Sequence, residues 1–444
     1  MSEKKHSNPA ISRRSFLKSS AMASTAAVVG PTILTGCTTI NDGVITRSSR
    51  PSGKIHMASI GIGWQGGSNL GQFLQHPDVQ VVAVCDLDEK HLRKAQKTVE
   101  RTYDNFKCGA YSDFREMFEK EDLDAVVISL PDHWHAIPAI AAAEKGYDVF
   151  GEKPFSHTLV EGRAMVNALN KNGCIWQTGS WQRSVPNFHR AAELIRNGRI
   201  GNVSHVEIGL GRGHANYDEV KDLTTFGPPP EELDYDMWLG PAPDLPYCRA
   251  RTHKTWRWIM AHGGGTLMDW VGHHGDIAHW GLGLDETGPV KVSGTGVIPT
   301  GQLWDSPTDY DCTLTYANGI TMNISSKAGG GTKWFGSDGW IHVDRGRLDA
   351  SDPKFLEGDI GENEIHLYRS KDHWKNFVEG IQTRKPTITP AETAHRSASM
   401  GHLCNIAMYA GRTINWDPNT ETIKNDAGAT DMLSPTYRKP WKLR

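Results

Sequence analysis

The sequence predicts an α/β protein built, past its first fifty residues, on a doubly wound parallel sheet. Two observations carry that prediction. A strand-like run, Lys54 to Ile60, enters a glycine turn, Gly61-Ile62-Gly63-Trp64-Gln65-Gly66, and then a helical stretch, Ser68 to Gln75. Further apolar runs of strand length then alternate with helical segments at the spacing of β-α-β units. The chain beyond residue 53, about 390 residues, is too long for one ordinary domain and suggests two.

After the glycine turn comes the strand Val79 to Val84, ending in Cys85-Asp86. The strand Ala125 to Leu130 runs into Pro131-Asp132-His133-Trp134-His135 and the helix Ile137 to Lys145. Asp148 to Phe150 ends in Gly151-Glu152-Lys153-Pro154, and a strand near Trp176 to Ser180 precedes Gln182 and Arg183. In such sheets ligands bind beyond the carboxyl ends of the strands. Gly63, Asp86, Leu130 and Lys153 all stand at such ends.

The glycine pattern has a physical reason. Its glycines allow a tight turn and let backbone approach a pyrophosphate at a helix N-terminus. Its place between strand and helix is what gives the pattern weight. Asp86 can accept hydrogen bonds from the adenosine ribose hydroxyls and would repel a 2′-phosphate, which favours NAD over NADP.

Downstream, Gly263-Gly264-Gly265-Thr266-Leu267-Met268-Asp269-Trp270-Val271-Gly272-His273-His274-Gly275-Asp276 reads as a glycine turn leading into a helix. Asp269 and His273, four apart, share a helical face. Asp276 falls near the same line, and His274 about 100° further round. A carboxylate beside an imidazole suits proton transfer near neutral pH.

Composition excludes other classes. The net charge is −3 with no long basic run, so nothing recommends nucleic acid as a partner. The seven cysteines form no C-x-x-C pair, against a disulfide framework or zinc site. Of fifteen tryptophans, many between Trp176 and Trp280, more than half are expected to serve core packing, with indole faces suited to stacking on sugars as the functional reading.

The N-terminus reads as an address. Ser12-Arg13-Arg14-Ser15-Phe16-Leu17-Lys18 is a twin-arginine pattern, followed by a weakly apolar run too short to span a membrane. Leu34-Thr35-Gly36-Cys37 resembles a lipobox with Cys37 as the lipidated residue, and Thr38 to Gly53 reads as a tether. The expectation is export to the periplasm by the twin-arginine route, carried folded with its cofactor, with a lipid anchor at Cys37.

Taken together, the glycine fingerprint at Gly61, Pro131-Asp132-x-x-His135, Glu152-Lys153-Pro154 and Gly264-Gly265-x-Leu267-x-Asp269-x-x-x-His273 resemble the Gfo/Idh/MocA oxidoreductases, in that family's order and across residues 54 to 415. The resemblance implies a second, α+β domain with a large open, mostly antiparallel sheet. Ser204 to Leu210, Val290 to Val297, Tyr310 to Tyr316, Ile320 to Ser326 and Trp340 to Val343 fit its strands. The expected division is 1–53 signal and tether, 54–176 nucleotide domain and 177–444 substrate and oligomerisation domain. The resemblance also implies that Lys153, Asp269 and His273 converge on a nicotinamide, with cofactor contacts from Gly61, Gly63, Trp64, Gln65, Gly66, Asp86, Leu130, His135, Glu152, Lys153 and Gln182.

Hydride transfer from a secondary alcohol needs a nearby nicotinamide, a base for the hydroxyl proton and a cation for the developing alkoxide. His273 is the expected base and Lys153 the cation. Asp269 either fixes the His273 tautomer or binds a neighbouring substrate hydroxyl. The leading expectation is an NAD-dependent oxidoreductase acting on a sugar, sugar alcohol or glycoside, with tightly held cofactor and a homo-oligomeric state. The alternatives are an NAD-dependent glycosidase of the same architecture and a sugar-binding lipoprotein without turnover. Asp269, His273 and Asp276 with His135 or His279 form an alternative metal set, which the resemblance does not require.

Overall fold

The computed structural model describes residues 53–443, save 106, 215 and 216. The twin-arginine pattern, Cys37 and nearly all of the tether lie outside the described residues. Six strands form the first sheet: β1 (Ile55–Ile60), β2 (Val79–Cys85), β3 (Gly109–Tyr111), β4 (Ala125–Ile128), β5 (Asp148–Gly151) and β6 (Trp176–Thr178). Their order is β3-β2-β1-β4-β5-β6 and every pairing is parallel. All four residues of β4 are buried, as expected of a strand covered by helices on both faces. The strand order reverses between β1 and β4, and this leaves a crevice beyond their carboxyl ends.

Nine strands form the second sheet: β7 (Val203–Gly209), β8 (Lys291–Gly296), β9 (Tyr310–Thr315), β10 (Thr321–Ser325), β11 (Gly331–Gly336), β12 (Trp340–Asp344), β13 (Arg347–Ala350), β14 (Ile414–Asp417) and β15 (Thr422–Ile423). The order is β13-β12-β11-β7-β10-β9-β8-β14-β15, and only β7 with β10 is parallel. In β9, Tyr310, Cys312 and Leu314 are buried while Asp311 and Thr313 are exposed. That alternation marks a sheet packed on one face only.

Two features bear on the division between the sheets. β6 carries the first sheet to Thr178, two residues beyond the expected boundary at 176. The late helix His373–Thr383 returns to it, setting Phe377 edge-on to Phe73 and Phe150 at 6.0 and 5.8 Å.

The Asp269 region is helical, with a break in register. A helix over Gly265–Trp270 passes into one π-helical turn, Val271–Gly275, and resumes as Asp276–Leu282. The wide turn holds an extra residue, so the helix beyond it is rotated by roughly 100° from an unbroken α-helix. Asp269 and His273 still reach one cavity. Asp276 does not share their line: its carboxylate is buried against Arg183 at 2.6 Å and Ser397 at 2.7 Å.

Candidate active site

A cavity of about 570 Å³ opens beyond the ends of β1, β2 and β4. At one end are Gly61, Gly63, Trp64, Gln65 and Asp86; at the other are Lys153, Trp181, Asp269, Trp270, His273 and Arg345; Leu130 and Glu152 lie along its wall.

The glycine end is shaped by backbone. Gly61 has φ +79°, and a Cβ there would lie 2.4 Å from the Ser129 carbonyl oxygen. A Cβ at Gly66 would lie 1.9 Å from the Gly61 carbonyl oxygen. These two glycines close the turn itself. Gly63 differs: its φ is −65° and a Cβ would meet only the His91 ring, at 3.5 Å. Nothing in the protein requires glycine there, so its bareness fits a ligand that approaches the backbone closely. Asp86 is tied to this loop, accepting the Ile62 N–H at 2.6 Å and the Asp88 N–H at 2.9 Å. Burial pushes its carboxyl up against the opposing pull of those N–H groups.

Glu152 supports the wall from beneath. It accepts from Asn69 at 2.9 Å, and burial raises its carboxyl while Lys153 opposes the rise.

At the reaction end, Lys153 Nζ donates to Asp269 Oδ1 at 2.6 Å and to the Asp269 carbonyl at 2.9 Å. Arg257 Nε stands 3.4 Å from the same Oδ1. Burial would raise the Asp269 acid, but the two cations outweigh it and hold the group below its ordinary value. Asp269 therefore answers Lys153 and does not orient His273, whose buried Nδ1 has no hydrogen-bond partner. The His273 ring lies edge-on to Trp181 and Trp270 at 6.2 and 5.7 Å. Burial, with the charges of Lys153 and Arg345, pushes its pKa well below the ordinary imidazole value. These surroundings favour the neutral ring over the imidazolium. Gly272 lets this turn approach Lys153 closely, since a Cβ there would lie 3.3 Å from the lysine Cβ.

Other predicted residues sit behind the cavity. His135 is buried with its ring nitrogens 2.8 Å from the Leu130 and Pro154 carbonyls, so it braces the loops that carry Leu130 and Lys153. Gln182 is buried between His274 and Arg345. Arg183 pairs with Asp276 and Asp285. The alternative metal set is dispersed: Asp276 is held by Arg183, and His279 turns to the Tyr316 hydroxyl. Among the described residues, the metal-capable group is Asp88, His91 and His253, at the glycine end.

Sequence reasoning missed Arg345 as a cavity residue and did not single out Trp181 or Trp270 among the tryptophans; Asp132, quoted only as part of a motif, is buried with its carboxyl pushed up to about 8. Arg345 lies in a hairpin turn with no motif to mark it. Trp270 was visible between Asp269 and His273, but core packing was the first reading of the tryptophans and sugar stacking the second.

Comparison with known proteins agrees with both sheets. Residues 55–180 match the family described as "Oxidoreductase family, NAD-binding Rossmann fold", and residues 193–443 match "Oxidoreductase family, C-terminal alpha/beta domain". The chain belongs to the Gfo/Idh/MocA oxidoreductases. It is an NAD(P)-dependent oxidoreductase of that type. The myo-inositol 2-dehydrogenase of Thermotoga maritima is 24% identical over 371 residues, 80% of this chain and 96% of its own length. The alpha-N-acetylgalactosaminidase of Shewanella oneidensis is 27% identical over 164 residues, 34% of each chain. A likeness of fold extends to the scyllo-inositol dehydrogenase of Lactobacillus casei, solved with NAD(H) and scyllo-inositol. Its TM-score is 0.57 at 16% identity, covering 81% of this chain and 98% of that one.

Proposed function

We propose that this oxidoreductase uses NAD to move a hydride between the nicotinamide and a secondary hydroxyl of a sugar, sugar alcohol or glycoside. The observation that carries the reading is the pairing of a dinucleotide cradle with Lys153, Asp269 and His273 in one cavity. Asp86, at the end of β2, favours NAD over NADP by opposing a 2′-phosphate. Nicotinamide bound here would supply the hydride acceptor. His273 takes the hydroxyl proton on Nε2, since Nδ1 is buried. Lys153 spends two of its three N–H donors on Asp269 and offers the third to the reacting oxygen. Asp269 aims that ammonium.

Tight retention of the cofactor is part of the proposal. A strap from the second domain lines the glycine end with Leu233, Trp238, His253 and Trp256. It is pinned to the end of β2: Glu89 N donates to Glu232 O at 2.9 Å and Asp234 N to Leu87 O at 3.2 Å. Such a cover suits an enzyme exported with its cofactor, the fate that the Arg13-Arg14 pattern suggests. The glycosidase reading draws on a relative matched over a third of this chain, and no feature of the reaction end favours it.

The test is mass spectrometry of purified protein for bound nucleotide, then a panel of sugars and polyols followed by nicotinamide reduction. Bound NAD and reduction by a panel member are expected. Protein that binds no dinucleotide, or binds NADP more tightly than NAD, refutes the proposal or its cofactor choice.

A further inference from the structure

The described arginines nearest the cavity's reaction end differ in one respect. Arg183 meets Asp276 and Asp285, and Arg257 meets Asp269. Through its guanidinium, Arg345 meets no carboxylate within hydrogen-bond reach among the described residues. It stands in the turn between β12 and β13, and its guanidinium carbon lies 4.6 Å from the Trp181 ring centre and 4.7 Å from that of Trp270. Its Nε donates to Gln182 Oε1 at 3.1 Å. The neighbouring Asp344 is turned elsewhere: Oδ1 accepts the Arg345 backbone N–H at 2.7 Å and lies 3.6 Å from His274 Nε2. The two Nη groups have no hydrogen-bond partner among the described residues, and Arg345 lines the cavity.

Each part of this arrangement has a consequence. Contact with two indoles holds the exposed Arg345 guanidinium at the cavity mouth by cation–π attraction. The Gln182 bond fixes rotation about the long side chain, so the fork is aimed before any ligand arrives. The charge balance also leaves room for an anion. Lys153 and Arg257 share Asp269, and Arg257 also lies 5.1 Å over Trp64 of the glycine loop, towards the nucleotide. Arg345 stands on the far side, against the two indoles that flank His273. A planar guanidinium fork beside two aromatic rings matches a planar carboxylate through two parallel N–H···O bonds.

We infer that Arg345 is a carboxylate-binding residue of the substrate end, so that the substrate is a sugar acid or a uronic acid glycoside. The inference rests on the hydride-transfer reading above for the location of the substrate, and deepens it. Arg345 acts in specificity, and the proton and hydride remain with the groups around Lys153 and His273.

The test uses the NAD-loaded full chain and pairs of methyl glycosides and methyl uronides of gluco, galacto and manno configuration. Members of a pair differ only in a hydroxymethyl against a carboxylate. Binding is measured by calorimetry and turnover by nicotinamide reduction. At least one uronide is expected to exceed its neutral partner, and Arg345→Gln should shrink that ratio by about 10- to 100-fold. Arg345→Lys, which keeps the charge and loses the fork, should recover only part of it. An unchanged melting temperature excludes general unfolding; if Arg345→Gln melts early, the lysine variant and the wild-type ratio still decide. Equal or better use of neutral glycosides overturns the inference and leaves the hydride-transfer reading intact. Preference for a 6-phosphate over the uronide overturns the carboxylate assignment. Uronide binding that depends on Arg345 without any reduction supports the subsite and overturns the redox reading. If no uronide binds or reacts, the inference fails.

Discussion

The two ends of the cavity are built on different physics. The glycine end is a shape made by backbone: two glycines close a turn, a third lies bare, and Asp86 is locked to the loop by amide N–H groups. The reaction end is a set of charges and rings brought from four separate stretches, at Lys153, Trp181, Asp269–His273 and Arg345. At the first end each residue acts nearly alone. At the second, Lys153 and Arg257 hold the Asp269 acid down, and Lys153 and Arg345 add to the lowering of His273. Substitutions should therefore act locally at one end and collectively at the other.

The largest effects should come from the reaction end. His273→Ala and Lys153→Ala are each expected to lower kcat, by roughly 10²- to 10⁴-fold for the base, with cofactor still bound. Single-turnover kinetics alongside nucleotide titration separate the two quantities. Loss of cofactor together with turnover in either variant would show that the ends are not independent.

Next in size is Gly63→Ala. Its new methyl meets only ordinary contact in the protein, so the melting temperature of nucleotide-free protein should hold. Affinity for NAD should fall roughly tenfold or more if the pyrophosphate packs on this backbone. Equal affinity would place the pyrophosphate elsewhere. Gly66→Ala, with its clash on the Gly61 carbonyl, should damage the loop itself and serves as the contrast.

The same contrast explains what could be read in advance. The first sheet and its glycine turn were legible because they are local: a strand, a turn of defined stereochemistry and a helix within twenty residues. Five strands of the second sheet were legible as apolar runs. β11 was not, since it follows Gly329-Gly330 and begins at Gly331, and β3, of three residues, is too short to show a period. Lys153, Asp269 and His273 were legible by their neighbours in sequence, and all three line one cavity. Their mutual roles were not: Asp269 turns to Lys153 instead of His273 because a nearby cation outcompetes a neutral ring. Asp276 was misplaced because no pattern announces a π-helical turn. Arg345 and Gln182 meet across more than 160 residues, a contact that only tertiary packing creates.

A smaller effect concerns pH. Burial is the main cause of the low His273 pKa, with Lys153 and then Arg345 adding to it. Cations disfavour the protonated ring, so removing one must raise the pKa. The acidic limb of kcat/KM, which reports loss of the neutral base, should lie below the ordinary imidazole range in wild type. It should move to higher pH in Arg345→Gln, by about one unit or less. A limb that stays fixed would mean that His273 is not the titrating base.

The smallest effect on turnover should belong to His274→Ala, and it tests the register on which the assignment depends. The two histidines are adjacent but face different surroundings. His273 lines the cavity, whereas His274 lies parallel to Trp270 at 5.6 Å with 8° between the rings, and its Nδ1 is 3.3 Å from Gln182 Nε2. It thus underlies two residues, Trp270 and Gln182, that position Arg345. Truncation should cost about 1–3 kcal/mol of stability, as for other buried side chains, seen as a lower melting temperature. It should reduce turnover less than tenfold, the scale of a loosened support rather than a missing base. It should also weaken whatever ligand Arg345 holds, without shifting the acidic limb as far as Arg345→Gln does, because the guanidinium charge remains. If His274→Ala abolishes turnover while His273→Ala retains it, the π-helical turn presents the other ring to the substrate and the base must be reassigned by one residue.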